Sequence, residues 1–388
     1  MIIKKIELDH FRNYDHLVLE PHEGINLFYG PNGSGKTNLL EAVHYCALGK
    51  SHRVSQDQNT VMIGQKNAYC SVSVQSKYVR SDIQVNLQPG ESVKKTIFVD
   101  HLRISRFSEL MGKLRCVLFS PEDLGMIRGG PASRRRFLDM MISQISPVYF
   151  IALQQYRVAA EQRSAILKNC RIRGESIPSM TEDFENAMAE HAMVIFRERQ
   201  KTVSRLSDQI TEIYEKISGR EKETLRLQYR SFAAGSDHPK QEMLRVLREN
   251  REEDMRLSQT SCGPHRDDLV ITLNQKDMKV FASQGQVRTA ALCFRLSQLN
   301  VLESFGGERP VLLMDDVMSE LDKQRRMNLL KEIGDTQTFI TFSDESDLDA
   351  MEEKRSYYVF SRGGTAVVEE KSSGTVQEKF ILKEPDFT

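Results

Sequence analysis

The chain has 388 residues, 39% of them apolar and 28% charged, with 54 Lys plus Arg against 54 Asp plus Glu. That is enough chain for two domains and a sizeable core, and no stretch approaches the ~20 apolar residues that span a bilayer. Zero net charge neither suggests nor excludes nucleic acid, so a surface for it must come from local clustering.

Met1 to Asp9 alternates apolar and charged residues, with Ile2–Leu8 strand-like; this is a strand pattern and not the apolar core of a secretion signal, so the expected location is the cytoplasm. Further strand-like runs are Leu17–Leu19, Ile25–Tyr29, Ala68–Gln75, Ser81–Leu87 and Lys95–Val99. Helical periodicity begins at Pro131 and is broken around Gly174 and Pro178. It resumes as one long helix over Glu182–Ile217, with Gly219 placed as a C-cap. From Ser261 strands and helices alternate again, with apolar strands at Val311–Met314 and Thr338–Thr341. Tyr357–Phe360, Gly363-Gly364 and Ala366–Val368 have the pattern of a hairpin. The expected fold class is α/β: a head made of residues 1–131 and 258–371, split in sequence by a mainly helical lobe at 132–257, then a flexible tail at 372–388. Six cysteines without C-x-x-C spacing read as thiols of a reducing compartment, not as a zinc site.

Gly30-Pro31-Asn32-Gly33-Ser34-Gly35-Lys36-Thr37 is a complete G-x-x-x-x-G-K-T. It follows the strand ending at Tyr29 and opens a helix expected over Thr37–Ala47, which is the context this motif needs. The glycines let backbone N–H groups curl around a β-phosphate, and the helix N-terminus adds partial positive charge. Lys36 is expected on the β- and γ-phosphates, and the Thr37 hydroxyl on Mg²⁺. ATP and Mg²⁺ are therefore the expected cofactors.

Val311-Leu312-Leu313-Met314 is an apolar run that ends in Asp315-Asp316. Buried in a parallel sheet, such a strand delivers its last residues to the edge where phosphate loops sit. Asp315 is expected to hold Mg²⁺, largely through water, and Asp316 to orient or deprotonate the attacking water. Ala282-Ser283-Gln284-Gly285-Gln286 precedes an apolar helix over Val287–Leu302. By itself S-x-G-Q is an ordinary loop before a helix. Its place between the phosphate loop and the acidic strand, with Ser319-Glu320-Leu321-Asp322 after that strand, is the motif order of an ABC/SMC ATPase head.

Other segments complete the pattern: Phe11-Arg12-Asn13-Tyr14, Lys50-Ser51-His52-Arg53 and Phe119 through Leu124. So do Gly130-Pro131 through Arg134-Arg135-Arg136-Phe137-Leu138-Asp139, and Gly263-Pro264-His265-Arg266-Asp267-Asp268. With these, the chain resembles the RecF family of bacterial recombination-repair ATPases, SMC-like members of the ABC class, along nearly its whole length. The resemblance implies a P-loop ATPase head with a lobe in place of long coiled-coil arms. It implies an ATP-dependent homodimer that binds duplex DNA near single-strand gaps and acts with RecO and RecR in loading RecA; the short acid Asp316 is consistent with slow ATP hydrolysis. Such a protein would be nucleoid-associated, with no membrane partner.

The resemblance also assigns Ser283 and Gly285 of one subunit to the γ-phosphate held by the other; a helix N-terminus carrying a hydroxyl suits an oxyanion. Arg12 and Arg53 lie near the phosphate loop in sequence and are read as nucleotide-side residues. Asp316 stands where the wider ABC class usually has Glu. No Q-loop glutamine occurs around Ser120–Leu124, and Thr341-Phe342-Ser343 occupies the place of the switch histidine. A transporter's nucleotide-binding subunit would need both. A scaffold that binds ATP without hydrolysing it would not need Asp315-Asp316. Arg134, Arg135 and Arg136, with Arg128, Lys113 and Arg115 nearby, could neutralise DNA phosphates. They could equally form a solvated helix face or pair with Glu122 and Asp123.

Overall fold

A computed structural model describes residues 1–90, 94–219, 223–318, 321–343 and 354–371; Ser319-Glu320 and the expected tail at 372–388 lie outside them. Strands dominate the first third: β1 (Ile2–Phe11), β2 (Tyr14–Leu19), β3 (Ile25–Tyr29), then helix α1 (Lys36–Leu48), β4 (Ala68–Gln75), β5 (Arg80–Gln88), β6 (Lys94–Val99), β7 (Leu102–Arg103) and β8 (Cys116–Phe119). The middle is mostly helical: α2 (Leu124–Arg128), α3 (Pro131–Ser143), α4 (Pro147–Arg173), α5 (Thr181–Ser218), β9 (Leu225–Arg230), α6 (Pro239–Glu249) and α7 (Arg251–Leu257). Then follow β10 (Asp268–Leu273), β11 (Lys276–Asp277), α8 (Met278–Phe281), α9 (Gln284–Gly306) and β12 (Val311–Asp315). The last elements are α10 (Lys323–Ile333), β13 (Thr338–Phe342), β14 (Lys354–Arg362) and β15 (Thr365–Lys371).

These elements divide into two units, one of Met1–Pro121 with the segment from Gly307 on, the other of Glu122–Gly306. The first contains two six-stranded sheets. One is antiparallel, in the order β2-β1-β4-β5-β6-β7. In the other, β14, β3, β13, β12 and β8 run parallel, and β15 closes a hairpin onto β14. Helix α1 packs against strands of both sheets. Its Leu39, Leu40, Val43, Tyr45, Cys46 and Ala47 join Ile6, Val72 and Val85 of one sheet and Phe28, Leu313 and Phe339 of the other in a single core. A helix apolar around most of its circumference is what such a sandwiched position requires. β12 is buried along its whole length, which is why it reads as an unbroken apolar run. In the ladder Asp315 stands opposite Thr341, and Phe342 opposite Tyr29. The loop after Tyr29 and the acids after Met314 therefore open on the same sheet edge.

The second unit packs α4, α5 and α9 with a small antiparallel sheet, β11-β10-β9. Gly174 and Gly219 end α4 and α5 in the left-handed conformation. Part of the interior is ionic. Arg163 is fully buried and donates to Glu185, Asp254, Thr260 Oγ1 and the Leu247 carbonyl over 2.7–3.1 Å. Arg199 does the same with Asp139, the Tyr149 hydroxyl and the Pro264 carbonyl. Buried guanidinium groups persist only when paired and hydrogen-bonded in this way. The division by contacts falls at 121 and 306, whereas the periodicity placed it at 131 and 257. Residues 258–306 look like head in sequence because strand and helix alternate there, yet β10 pairs with β9 and α9 packs along α5. The six cysteines are buried and unbridged. No described helix is long and apolar enough to cross a membrane.

Candidate nucleotide site and signature loop

The loop Gly30–Gly35 connects β3 to α1 and owes its shape to three glycines at positive φ, 140° at Gly30, 80° at Gly33 and 122° at Gly35. At Gly30 the close approach is absolute, since a Cβ there would stand 2.1 Å from the Val359 carbonyl oxygen. At Gly35 it would stand 2.9 Å from both the Ala366 Cβ and Asn13 Oδ1. The loop is braced from outside as well. Asn13 Nδ2 donates to the Ser34 carbonyl at 3.0 Å, and the Tyr14 hydroxyl to the Gly35 carbonyl at 3.1 Å.

Lys36 is the first residue of α1, and its Nζ donates to the Gly30 and Pro31 carbonyls at 2.6 and 2.8 Å. Burial pushes this ammonium below its ordinary pKa, with the charges of Asp316 and Asp315 partly offsetting. Ser34 is 2% exposed, and its hydroxyl has no hydrogen-bond partner among the described residues. A curled loop, an inward ammonium and an unpartnered buried hydroxyl together make a receptor for phosphate oxygens. Thr37 Oγ1 donates to Asp315 Oδ1 at 2.7 Å, which joins the two residues expected to hold a metal. Hydroxyl and carboxylate oxygen are the donor chemistry of Mg²⁺.

Three residues to which the sequence assigned no role complete this site. Thr341 Oγ1 donates to Asp315 Oδ1 at 2.8 Å and accepts from the Asp316 backbone N–H at 2.9 Å. It thereby fixes the turn that Asp316 makes at φ 51°. In sequence Thr341 stands in the place of the switch histidine, a hydroxyl at the end of an apolar strand. Ser343 Oγ donates to Asn32 Oδ1 at 3.0 Å and ties the end of β13 to the phosphate loop. Glu41, fully buried on α1, gathers Arg12 in a two-pronged pair at 2.7 and 2.9 Å and accepts from Ser51 Oγ at 2.5 Å. Its signal was an acid within Leu39-Leu40-Glu41-Ala42-Val43. Arg53 donates to Asn38 Oδ1 at 2.8 Å, Asn38 to Asn13, and Asn13 to the Ser34 carbonyl. Arg12 and Arg53 are thus linked to the loop through other side chains.

The signature lies in the second unit, where Ser283 is the residue before α9. Its hydroxyl accepts from the Gln286 N–H at 3.3 Å, and Gln286 Oε1 accepts from the Ser283 N–H at 3.0 Å. This is a capping box, in which S-x-x-Q satisfies two otherwise orphaned N–H groups. Ser283 is exposed and Gly285 half-exposed, so the helix start stands at the surface.

A family model described as RecF/RecN/SMC N terminal domain matches residues 2–365. The chain is 36% identical over 360 residues to the DNA replication and repair protein RecF of Clostridium botulinum, spanning 93% of this chain and 97% of that one. Against the protein of the same description in Clostridium novyi it is 37% identical over 341 residues, 88% and 92% of the two chains. The chain belongs to the RecF family. A solved structure of the recombination mediator protein RecF-ATP in the RecFOR pathway superposes with TM-score 0.87 at 33% identity, covering 96% of this chain and 98% of that one. An SMC head bound to the C-winged helix domain of ScpA matches at TM-score 0.57 and 16% identity, which shows a shared α/β ATPase-head fold.

In this RecF-family chain the arginine run on α3 does not behave as one surface. Arg134 is 6% exposed, and its Nε and Nη2 sit on the Asp268 carboxylate at 2.7 and 2.9 Å. Its Nη1 donates to the Gly129 carbonyl at 3.0 Å. The expectation that Arg134 meets DNA is therefore corrected: to reach a phosphate it would have to leave a carboxylate with which it is largely buried. Arg135 is half-buried and donates to the Asp267 carbonyl at 2.8 Å, and only Arg136 is exposed. Of the two candidate partners of this run, Glu122 and Asp123, Asp123 is gripped by Arg295.

Proposed function

We propose that this RecF-family chain is an ATP-driven, DNA-binding switch of recombinational repair, closing as a dimer when ATP is bound. The observation that carries the reading is the Thr37–Asp315 contact beside the Lys36 cradle, which brings phosphate and metal ligands to one sheet edge. Backbone N–H groups of Gly30–Gly35, the Ser34 hydroxyl and Lys36 would take the β- and γ-phosphates. Thr37 and Asp315 would hold Mg²⁺, which supplies charge neutralisation at those oxygens. Lys36 must exchange two loop carbonyls for phosphate, a stronger, charge-assisted partner.

Asp316 positions or deprotonates the attacking water; as a short acid it fits weak turnover, with ATP acting mainly as a switch and DNA stimulating it. The exposed start of α9, carrying Ser283 and Gly285, meets the γ-phosphate held by a second copy. Arg12 and Arg53 support the loop. The closed dimer binds duplex DNA at single-strand gaps and acts with RecO and RecR on RecA. That arrangement is supported by the family's description as DNA replication and repair proteins and by the RecFOR setting of the solved structures.

Lys36→Ala tests the nucleotide reading. Among the described residues its side chain hydrogen-bonds to its own loop alone, so the fold should survive while ATP binding, followed by fluorescent-nucleotide titration, is lost. Wild-type affinity in that variant overturns the site.

A further inference from the structure

In a chain with no net charge, the second unit segregates its charges between its two longest helices. α4 carries Arg157, Arg163, Lys168, Arg171 and Arg173 against one acid, Glu161. α5 carries eight acids against five basic residues. Arg163 is the buried brace described above; the other four basic residues of α4 are exposed. Arg157, Glu161, Ser164, Lys168 and Arg171 recur at i, i+4, i+7, i+11 and i+14, which is one face of a helix.

The segment Gly263-Pro264-His265-Arg266 packs against the start of that face. Gly263, at φ 127°, lies so close to Tyr156 of α4 that a Cβ would stand 2.2 Å from the Tyr156 hydroxyl. The same hydroxyl is 2.5 Å from His265 Nδ1. Arg266 is exposed and pre-aimed: its Nε donates to the Thr260 carbonyl and its Nη2 to Gln259 Oε1, both at 3.0 Å. Between α4 and this loop runs a groove of about 430 Å³ whose walls include Arg157, Ser164, Thr260 and Arg266.

We infer that this face of α4, with Arg266, is a docking surface for the sugar–phosphate backbone of duplex DNA. The inference rests on the DNA reading above and assigns it a place. From Arg157 to Arg171 the helix rises about 21 Å, a length of duplex that carries about a dozen phosphate charges. The stripe offers three cations, of which Arg157 is paired with Asp139 at 3.3 Å while Lys168 and Arg171 have no carboxylate partner among the described ion pairs, and Arg266 offers a fourth; Glu161 is the one acid on the stripe itself. No aromatic side chain stands on the stripe to stack on a base, so the contacts are with backbone and carry no sequence preference. Arg266, held by two hydrogen bonds of its own, meets a phosphate oxygen with less loss of side-chain freedom than an unsupported arginine.

The test is a salt titration of duplex binding, with Mg-ATP, by wild type and two double variants. Lys168→Gln with Arg171→Gln removes two cations from the stripe. Lys216→Gln with Lys240→Gln removes two surface cations elsewhere in the same unit, each paired with a glutamate, Glu212 and Glu190. For two phosphate contacts the slope of log K against log salt should flatten by about 1.8, and affinity at 0.15 M salt should fall roughly thirtyfold. The control double should keep the wild-type slope, and thermal melts verify that both proteins fold. An unchanged slope in the α4 double, or equal losses in both doubles, overturns the α4 surface while leaving DNA binding in place. A wild type that binds no duplex at any salt overturns the DNA reading itself, and the surface with it.

Discussion

Thr37 and Asp315, 278 residues apart in sequence, are joined by a hydrogen bond of 2.7 Å. Thr341 reaches the same carboxylate oxygen at 2.8 Å. Two hydroxyls on one oxygen hold Asp315 in place before any metal arrives. Thr37 and Asp315 would hold Mg²⁺ in the proposed site; the Thr37 hydroxyl would then offer the ion a lone pair, and the Thr341 contact would keep the carboxylate aimed.

Thr341→Val should therefore affect both stability and metal use. The change keeps the shape and removes two hydrogen bonds of the hydroxyl, the one to Asp315 and the one from the Asp316 N–H. A typical intramolecular hydrogen bond contributes about 0.5–1.5 kcal/mol net, and one to a charged group about 1.5–3 kcal/mol. Urea unfolding should show that loss, and nucleotide titration should show a weaker dependence of ATP affinity on Mg²⁺. An unchanged urea midpoint and Mg²⁺ dependence would return Thr341 to a bystander.

Glu41→Ala should destabilise the head unit by about 3 kcal/mol, because it takes the carboxylate from the largely buried Arg12 guanidinium, which keeps the Asn59 carbonyl, and removes the acceptor of the Ser51 hydroxyl proton. Thermal melting measures it directly. Nucleotide affinity should fall less than in Lys36→Ala, since Glu41 acts on the loop only through its neighbours. A loss confined to nucleotide affinity, with no change in melting, would contradict this division of labour.

Acid should weaken the second unit through His265. Burial pushes this imidazole below its ordinary value of 6.5; the nearby charges of Arg266 and Arg135 add to that, and its bond to the Thr260 carbonyl and the charge of Asp254 oppose it. The folded state keeps the ring neutral while the unfolded chain takes up a proton. The contribution of His265 is therefore complete above about pH 6.5 and declines as pH falls from there toward its folded value. His265→Gln should flatten the pH dependence of melting between pH 7 and 5. An equally steep dependence in that variant would exclude His265 as its source.

Local signals survived translation into structure, and long-range partnerships did not. The phosphate loop was legible because G-x-x-x-x-G-K-T stands between a strand and a helix. The acids at 315 and 316 were legible because a fully buried parallel strand is an unbroken apolar run. Arg134 was misread because its partner, Asp268, lies 134 residues away and leaves no local trace. Arg12 and Arg53 look like nucleotide-side residues from sequence position, which carries no trace of their partners: buried Glu41 for Arg12 and Asn38 for Arg53. Ser283 and Gln286 were read only as a signature, although S-x-x-Q before an apolar helix is also a capping pattern. The basic face of α4 escaped notice because a whole-chain charge of zero hides opposite charge on neighbouring helices.

The central claim is that ATP closes two copies of this chain on each other, and light scattering with Mg-ATP, read beside phosphate release, tests it most directly. Wild type should double in mass on adding ATP. Ser283→Arg, which puts bulk and charge at the exposed start of α9 and leaves Lys36 and Thr37 untouched, should bind ATP as a monomer and release no phosphate. Asp316→Asn should reach the doubled mass and hold it. If its carboxylate supplies even ~3 kcal/mol to the reaction, phosphate release should drop about a hundredfold. A wild type that stays monomeric with ATP bound, or a Ser283→Arg variant that doubles in mass like wild type, would contradict the account.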